Sequence, residues 1–464
     1  MKTQAGFTTV LLLAHLSPAH AHVSERALVL ILPTDIYMLF GVAAVALTVF
    51  LTVLVPLKLF RELLAVDGGA DAVSMPSGFL RNLLNWLGFL AFATLIANGF
   101  FGQRDPLENL LVLMVFTVWW ICLPLFQAVF GDIWGWINPW SAPVRLVFQG
   151  RQLAALPARA GLWPAVVTYV LAGVYTLTDI APDDPARLAT VAGLYWLFTF
   201  AMCGVFGRNW LHRGEGFTVF FDFQAKIAVL RFRPFRLQFP GAGITTRPMT
   251  GPMAGPSAAV FAISLLAMGS FDGLNETFWW MGQIGVNPLE FPGRSAVIWP
   301  NRVGLLAALI LLNLAFALSV WLGLALIGQQ ARFHALYCRL ALTLLPIALG
   351  YHLAHYLTSA MVGLQYVALA LNDPWQSGVN LLGLGDIYVT TSFFNQHHTV
   401  QRIWLTQASA IVIAHIIAVI LSHGIALGAF GAHRLAVISQ LPVALFMVLY
   451  TFFGLWLLAS PVAL

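Results

Sequence analysis

The sequence predicts an all-α fold, a polytopic transmembrane helix bundle with about ten membrane-spanning helices after a cleavable signal peptide. Two observations predict this class. Apolar residues make up 60% of the 464 residues and charged residues only 9%, whereas a soluble protein carries about 25% charged residues. Ten separate apolar runs are also long enough to cross a bilayer. The lipid bilayer is therefore the expected main partner, and the net charge of +5 does not indicate nucleic-acid binding.

The first 21 residues are typical of a secretory signal peptide. Lys2 supplies the positive start, a short apolar core follows at 10–14, and Ala19-His20-Ala21 forms an A-x-A cleavage site. The apolar core is too short to span a membrane. Cleavage after Ala21 would place the new N-terminus, His22, outside the cytoplasm.

The remaining residues, 22–464, are predicted to form a single polytopic membrane domain. Its helices are expected where apolar runs of roughly 20 residues occur. These runs cover about 34–59, 84–102, 109–130, 161–181, 187–206, 254–272, 303–327, 336–360, 404–427 and 436–459.

The distribution of basic residues predicts the orientation of the bundle. With the N-terminus outside, sixteen of the 23 Lys and Arg residues fall in cytoplasmic segments and helix ends and six fall outside, with Lys2 in the signal peptide. Cytoplasmic loops of membrane proteins carry this excess of positive charge. We therefore expect a multi-pass protein of the bacterial inner membrane with both termini periplasmic.

Two segments between helices have unusual compositions. Residues 134–140, WGWINPW, combine interfacial tryptophans with a helix-breaking Asn-Pro, which predicts an interfacial or re-entrant turn. Residues 217–235 mix phenylalanines with basic side chains, which is typical of an amphipathic segment on the cytoplasmic surface.

Histidines inside the predicted membrane helices are the main candidate functional residues. His352 and His355 are three residues apart in the stretch GYHLAHYLT at 350–358, so they lie about 60° apart on one helix face. His415, near the middle of the next helix, could face them across an antiparallel contact. Three imidazoles suit a divalent metal, zinc or copper, or a haem iron. The alternative is that each imidazole only bonds a backbone carbonyl or a neighbouring hydroxyl.

Further candidates lie on the same predicted outer side. Asp272, at the end of the sixth helix, and Asp386, in the 373–402 loop, are candidate general bases. His397 and His398 in that loop are candidate additional ligands, as is His22, whose amine and imidazole could chelate copper together. The alternatives are a helix-end cap for Asp272 and an ordinary polar loop for the others.

Several short blocks together resemble the bacterial integral membrane proteins described as fenitrothion hydrolases. The blocks are INPW at 137–140, RGEGFTVF at 213–220, SFDG at 270–273, GYHLAHYLT, NDPW at 372–375, Ala414-His415, Ser422-His423, SQLP at 439–442 and Tyr450-Thr451. The resemblance covers nearly the whole chain after the signal peptide, and the 376–402 loop is longer here. It implies hydrolysis of an organophosphate triester, without implying which residues are catalytic.

Two functions remain open at this stage. The first is a metal-dependent hydrolase in which His352, His355 and His415 bind the metal and Asp272 or Asp386 is the base, acting on an apolar small-molecule substrate. The second is a transporter, or a copper- or haem-handling membrane protein, that uses the same histidines for binding. The sequence contains none of the motifs GxxxxGK[ST], GxSxG and HExxH, which are common in nucleotide-binding proteins, serine hydrolases and zinc proteases.

Overall fold

The computed structural model describes residues 32–55, 57–64, 78–232, 235–246, 251–290, 293–385 and 388–462. In that part of the chain, ten helical segments are long and apolar enough to cross a membrane, which confirms the predicted all-α bundle. The signal peptide lies outside the described residues. We number the segments α1 Thr34–Leu54, α2 Phe79–Phe101, α3 Leu110–Phe130, α4 Ala158–Thr178, α5 Pro185–Phe206, α6 Pro256–Asn275, α7 Ile298–Leu326, α8 Gln330–Asn372, α9 His397–Phe430 and α10 His433–Ala459.

Short elements connect these helices. They are helical at Leu57–Leu64, Trp134–Ile137, Ser141–Phe148, Asn209–Arg213, Gly216–Ala225, Ala242–Thr246 and Phe278–Gln283, with single 3-10 turns at Gly251–Ala254, Pro288–Glu290, Arg294–Ala296 and Ser392–Asn395. Two short strands, β1 Leu230–Phe232 and β2 Phe235–Leu237, form an antiparallel hairpin in which Leu230 is opposite Leu237. This hairpin is a small addition to the predicted helical fold.

Several predicted helix boundaries differ from those in the structure, and three of them show why. α1 ends at Leu54 rather than near residue 59, and Pro56 follows, which cannot donate a backbone hydrogen bond. α8 continues to Asn372 rather than 360, and α9 begins at His397 rather than 404. Backbone hydrogen bonds can continue a helix beyond the membrane, whereas an apolar run in the sequence marks only the part of the helix that faces lipid. The connection between α8 and α9, predicted to run from 361 to 403, therefore covers only residues 373–396.

Two of the spanning segments contain irregular turns near prolines. In α3, residues Met114–Cys122 form a π-helix between α-helical ends, and Pro124 follows it directly. In α8, a 3-10 turn at Leu342–Leu344 precedes Pro346. Proline has no N–H for the preceding turn, and such local changes of helix type accommodate the missing hydrogen bond. The 3-10 turn packs against α6, and the π-helix packs along α8.

α6 lies at the centre of the bundle. It packs against α4, α7, α8 and α10. Its Phe261, Ala262 and Ile263 side chains are completely buried. This position brings the last turns of α6, which carry Asp272, against the middle of α8.

The helix Gly216–Ala225 is inserted into the bundle rather than placed on its surface. Phe221 and Phe223 are completely buried, and the carboxylate of Glu215 accepts hydrogen bonds from the backbone N–H groups of Phe217 and Thr218 at the first turn. The prediction of an amphipathic surface segment at 217–235 is therefore wrong for this helix. The phenylalanines that suggested a lipid contact are core residues here.

The tryptophan-rich turn at 134–140 also packs against protein. Trp134 is buried, its ring lies 4.9 Å from that of Phe221, and its Nε1 donates to Thr218 Oγ1 at 3.1 Å. Asn138 donates to the same hydroxyl at 3.1 Å. Through these contacts the turn supports the inserted helix, and the Trp134 ring is enclosed by protein.

Candidate functional site

A cavity of about 1000 Å³ lies between α3, α4, α6, α8 and α9. Its walls are mostly apolar, and Trp119, Trp120 and Tyr169 are among the aromatic rings that line it. The connections at 182–183 and 276–294 and the C-terminal residues 460–462 also line it, so the cavity extends to that end of the bundle. In the predicted orientation this is the outer end. A cavity of this size accommodates a drug-sized molecule.

Three side chains on the cavity wall form a hydrogen-bonded group, which we call the Asp272 triad. His355 Nε2 lies 3.1 Å from Asp272 Oδ2, and the Tyr356 hydroxyl donates to the same carboxylate oxygen. The exposed fractions of the Asp272 and His355 side chains are 13% and 22%. Both groups therefore touch the open space of the cavity while most of their surface is enclosed by protein.

The local sequence explains how these groups meet. Tyr356 directly follows His355 on α8, so both side chains can point towards the end of α6. Asp272 is followed by Gly273, where an added Cβ would lie only 3.3 Å from the Tyr351 hydroxyl and 3.7 Å from His355 Nδ1. The absence of a side chain at Gly273 thus leaves room for α8 against α6. Asp272 is not a helix-end cap, because its carboxylate contacts α8 side chains.

His352 lies on the same face of α8, one turn before His355, and also lines the cavity. Its ring packs edge-on against Trp120 and Tyr356, at centroid distances of 5.7 and 4.9 Å. Its Nε2 is buried and has no hydrogen-bond partner among the residues that the structure describes. The prediction that His352 and His355 share one functional face is consistent with this geometry.

His415 occupies a different contact. Its Nδ1 lies 2.8 Å from the carbonyl oxygen of Ile411 on the same helix, and its ring packs near Tyr450 of α10. It is fully buried and is not among the residues that line the cavity. The backbone bond is the alternative that the sequence left open for this histidine.

The arrangement of the side chains does not match the predicted metal site at three histidines. Within the described ranges, no group of three or more His, Cys, Asp or Glu side chains is arranged to hold a metal ion. Zinc, copper or haem at His352, His355 and His415 therefore stays a prediction without support from the geometry.

The other predicted residues lie away from the cavity or outside the described residues. His397 and His398 are exposed in the first turn of α9, not in a loop, with ring centroids 5.8 Å apart, and neither lines the cavity. His22 and Asp386 are not among the described residues, so their proposed roles stay predictions.

Sequence reasoning missed Tyr356 as a partner of Asp272. Its position beside His355 in GYHLAHYLT was the available signal. It also missed Asp183, Glu276 and Arg294, charged residues of three separate segments that line the same cavity. Nothing in the sequence relates those segments, because only the folded connections bring them to one cavity.

The fold and its ten spanning segments define a multi-pass helical membrane protein. Comparison with protein-family models, with characterised proteins and with solved structures finds no match to the chain. The resemblance to fenitrothion hydrolases therefore stays a prediction.

Proposed function

We propose that the cavity binds an apolar small molecule and that the Asp272 triad hydrolyses an ester bond in it. The observation that supports this function is the carboxylate of Asp272 accepting hydrogen bonds from both His355 and Tyr356 at the wall of a large, mostly apolar cavity. The sequence resemblance implies organophosphate triesters as the substrate class. Such esters are neutral and partition into lipid, which suits a cavity within the membrane.

The proposed chemistry follows from the acid–base properties of the pair. In the neutral tautomer that donates from Nε2 to Asp272, the imidazole lone pair of His355 is on Nδ1. Nδ1 takes a proton from water as the water oxygen attacks phosphorus. The carboxylate of Asp272 stabilises the resulting imidazolium, as in carboxylate–histidine pairs generally. The bond from phosphorus to the aryl oxygen breaks, and the imidazolium returns the proton to that oxygen.

A second candidate is proton-coupled transport through the same cavity. Ionisable pairs between membrane helices commonly serve as proton relays. The cavity also reaches Gln224 on the inserted helix Gly216–Ala225, which enters the bundle from the predicted cytoplasmic side. A path from that helix to the outer end would pass the Asp272 triad. The same residues would then bind and release protons without breaking a bond in the solute.

Turnover of a chromogenic aryl dialkyl phosphate by the purified protein in lipid vesicles tests the proposal. General-base catalysis contributes about 10²- to 10⁴-fold, so Asp272→Asn and His355→Gln should each lower the rate by at least about a hundredfold. His415→Gln is the matched control, because it removes a buried imidazole that does not line the cavity. When it is assayed at the same interval below its own melting temperature as wild type, it should retain turnover within a few-fold.

Each outcome separates the alternatives. Equal loss in His415→Gln would favour the three-histidine metal site over the triad. A wild-type protein that does not hydrolyse the ester, but takes up protons with a solute in a manner abolished by Asp272→Asn, would establish transport instead. Full hydrolysis by both Asp272→Asn and His355→Gln would refute the proposed chemistry.

A further inference from the structure

A second, smaller pocket lies at the opposite end of the bundle from the mouth of the main cavity. Its volume is about 40 Å³, roughly three times the 10–15 Å³ needed by one water molecule. Three arginines from separate elements line it: Arg81 in α2, Arg145 in the helix Ser141–Phe148, and Arg208 in the turn after α5. The sequence predicts this end to be cytoplasmic.

Arg145 is fixed in place by neutral acceptors. Its guanidinium donates to the side-chain oxygens of Asn82 at 2.6 Å and Asn85 at 2.9 Å. Asn85 is itself held, because its amide donates to the carbonyl oxygen of Trp136 at 2.6 Å. The guanidinium is thus positioned by hydrogen bonds to neutral groups, and no carboxylate in the described part of the chain pairs with its positive charge.

The other two arginines also lack a carboxylate partner. Within the part of the chain that the structure describes, Arg81 and Arg208 form no ion pair. Burial lowers the pKa of Arg145, and the positive charges of Arg208 and Arg81 lower it further. The three cations therefore repel one another across the pocket, and an anion between them would relieve that repulsion.

The two carboxylates that line the pocket are occupied by other contacts. Asp222 Oδ2 lies 3.7 Å from His212 Nδ1. Asp132 accepts a hydrogen bond from the backbone N–H of Gly135 at 2.9 Å, and the neighbouring charges that most affect its pKa are those of Asp222 and His212. Both carboxylates thus have contacts of their own, and among the described residues neither forms an ion pair with the three arginines.

Apolar side chains flank the basic end. Phe79, two residues before Arg81, is 82% exposed, and Leu146 and Val147, directly after Arg145, are 61% and 58% exposed. In a membrane these side chains would contact acyl chains. The arginines would then lie at the depth of the lipid phosphates, where each basic residue contributes about 1 kcal/mol to attraction of anionic lipid.

We propose that Arg81, Arg145 and Arg208 form a binding site for a phosphate group, with the headgroup of an anionic phospholipid as the source favoured by the flanking apolar surface. Arg145 forms the rigid base of the site, and Arg81 and Arg208 close on the phosphate from two sides. The shared chemistry would also accept free phosphate, so the test includes both sources.

Native mass spectrometry of the detergent-solubilised protein with added phosphatidylglycerol tests the site. The variant is Arg81→Gln/Arg208→Gln, which breaks no hydrogen bond recorded among the described residues. The matched control is Arg151→Gln/Arg159→Gln, which removes two exposed arginines on the same predicted side. We expect the variant to bind phosphatidylglycerol about 25-fold more weakly, about fivefold for each charge removed, and the control to bind it like wild type.

A parallel titration with inorganic phosphate distinguishes the source. If inorganic phosphate does not displace the bound phosphatidylglycerol, the result supports a site for a lipid headgroup. Phosphate binding that is lost only in the variant, without preferential lipid retention, supports the same site for a soluble phosphate. If the variant loses no more of either ligand than the control does, the proposed site is wrong. These measurements do not involve the main cavity, so they are independent of the proposed hydrolysis.

Discussion

Gly350, the first residue of GYHLAHYLT, should not tolerate even one added methyl group. It lies where α8 crosses α9. A Cβ built at this position would lie 2.7 Å from the backbone carbonyl oxygen of Ala410 and closer still to the Cβ of Ala414. Neither neighbour is the end of a flexible side chain, so neither can turn away. The substitution Gly350→Ala must therefore move the two helices apart.

The size of the effect follows from these contacts. Carbon-to-oxygen contacts between helices are normally about 3.3–3.6 Å, so relieving the contact with the Ala410 oxygen alone would separate the helices by roughly 0.6–0.9 Å. The closer contact with the Ala414 Cβ requires a larger movement. Overpacking of this kind costs about 1–3 kcal/mol. The cost exceeds the gain of roughly 0.5–1 kcal/mol that alanine brings over glycine in a helix. The net expectation is a loss of stability. Because His352 and His355 lie on the same helix within five residues, cavity function should fall as well.

Thermal denaturation of the detergent-purified protein measures this prediction. Gly428→Ala is the matched control, because Gly428 is an exposed position of α9 with no atom within 4 Å of its built Cβ. The control should be unchanged or slightly stabilised, and Gly350→Ala should denature at a lower temperature. If Gly350→Ala were as stable as wild type, the close packing of α8 on α9 would be wrong.

Three further substitutions test other parts of the structure. Tyr356→Phe removes a hydroxyl that donates to the Asp272 carboxylate and should lower turnover roughly tenfold, since hydrogen bonds to charged groups contribute about 1.5–3 kcal/mol; unchanged turnover would exclude Tyr356 from the site. Burial and the neighbouring Asp222 charge raise the pKa of Asp132 to about 6, so ionisation of Asp132 costs stability as the pH rises from about 4 to 6. Asp132→Asn should therefore stabilise the protein by about 2–3 kcal/mol at pH 7, seen as a higher melting temperature, and should have little effect at pH 4. An equal effect at both pH values would contradict this. Arg213 donates to four backbone carbonyls of residues 156–161, so Arg213→Ala should destabilise by about 3 kcal/mol, and a loss below about 0.5 kcal/mol would show that these bonds matter little.

The membrane architecture was predictable because lipid imposes a simple rule on sequence. A spanning helix needs about 20 apolar residues, and all ten predicted spans correspond to helices of the structure. The ends of α8 and α9 were not predictable in this way. Polar residues such as Gln365 and His397 continue those helices beyond the apolar runs, and hydropathy does not register them.

The second limit of the sequence prediction was that it could not distinguish side chains buried against protein from side chains in contact with lipid. The phenylalanines of Gly216–Ala225 and Trp134 have the composition of a membrane interface, yet their rings pack against one another inside the bundle. An aromatic side chain is compatible with either environment, so composition alone could not distinguish them.

The candidate site was predictable only in part. Intramembrane Asp272, His352 and His355 stand out because ionisable groups are costly between membrane helices. Their pairing depends on how α6 is rotated against α8, and neither hydropathy nor the spacing of residues along the chain gives that rotation. The same limit explains His415, which was expected to face His352 but contacts the backbone of its own helix.

A double-substitution cycle on Asp272 and His355 tests the proposed catalytic unit most directly. Turnover of the aryl dialkyl phosphate would be measured for wild type, Asp272→Asn, His355→Gln and the double variant under identical conditions. Residues that act as one unit show strongly non-additive effects. We predict that the double variant is no slower than the slower single variant, within about threefold. A wild-type rate no higher than those of the variants, or a double loss equal to the product of the two single losses, would contradict a shared role for Asp272 and His355.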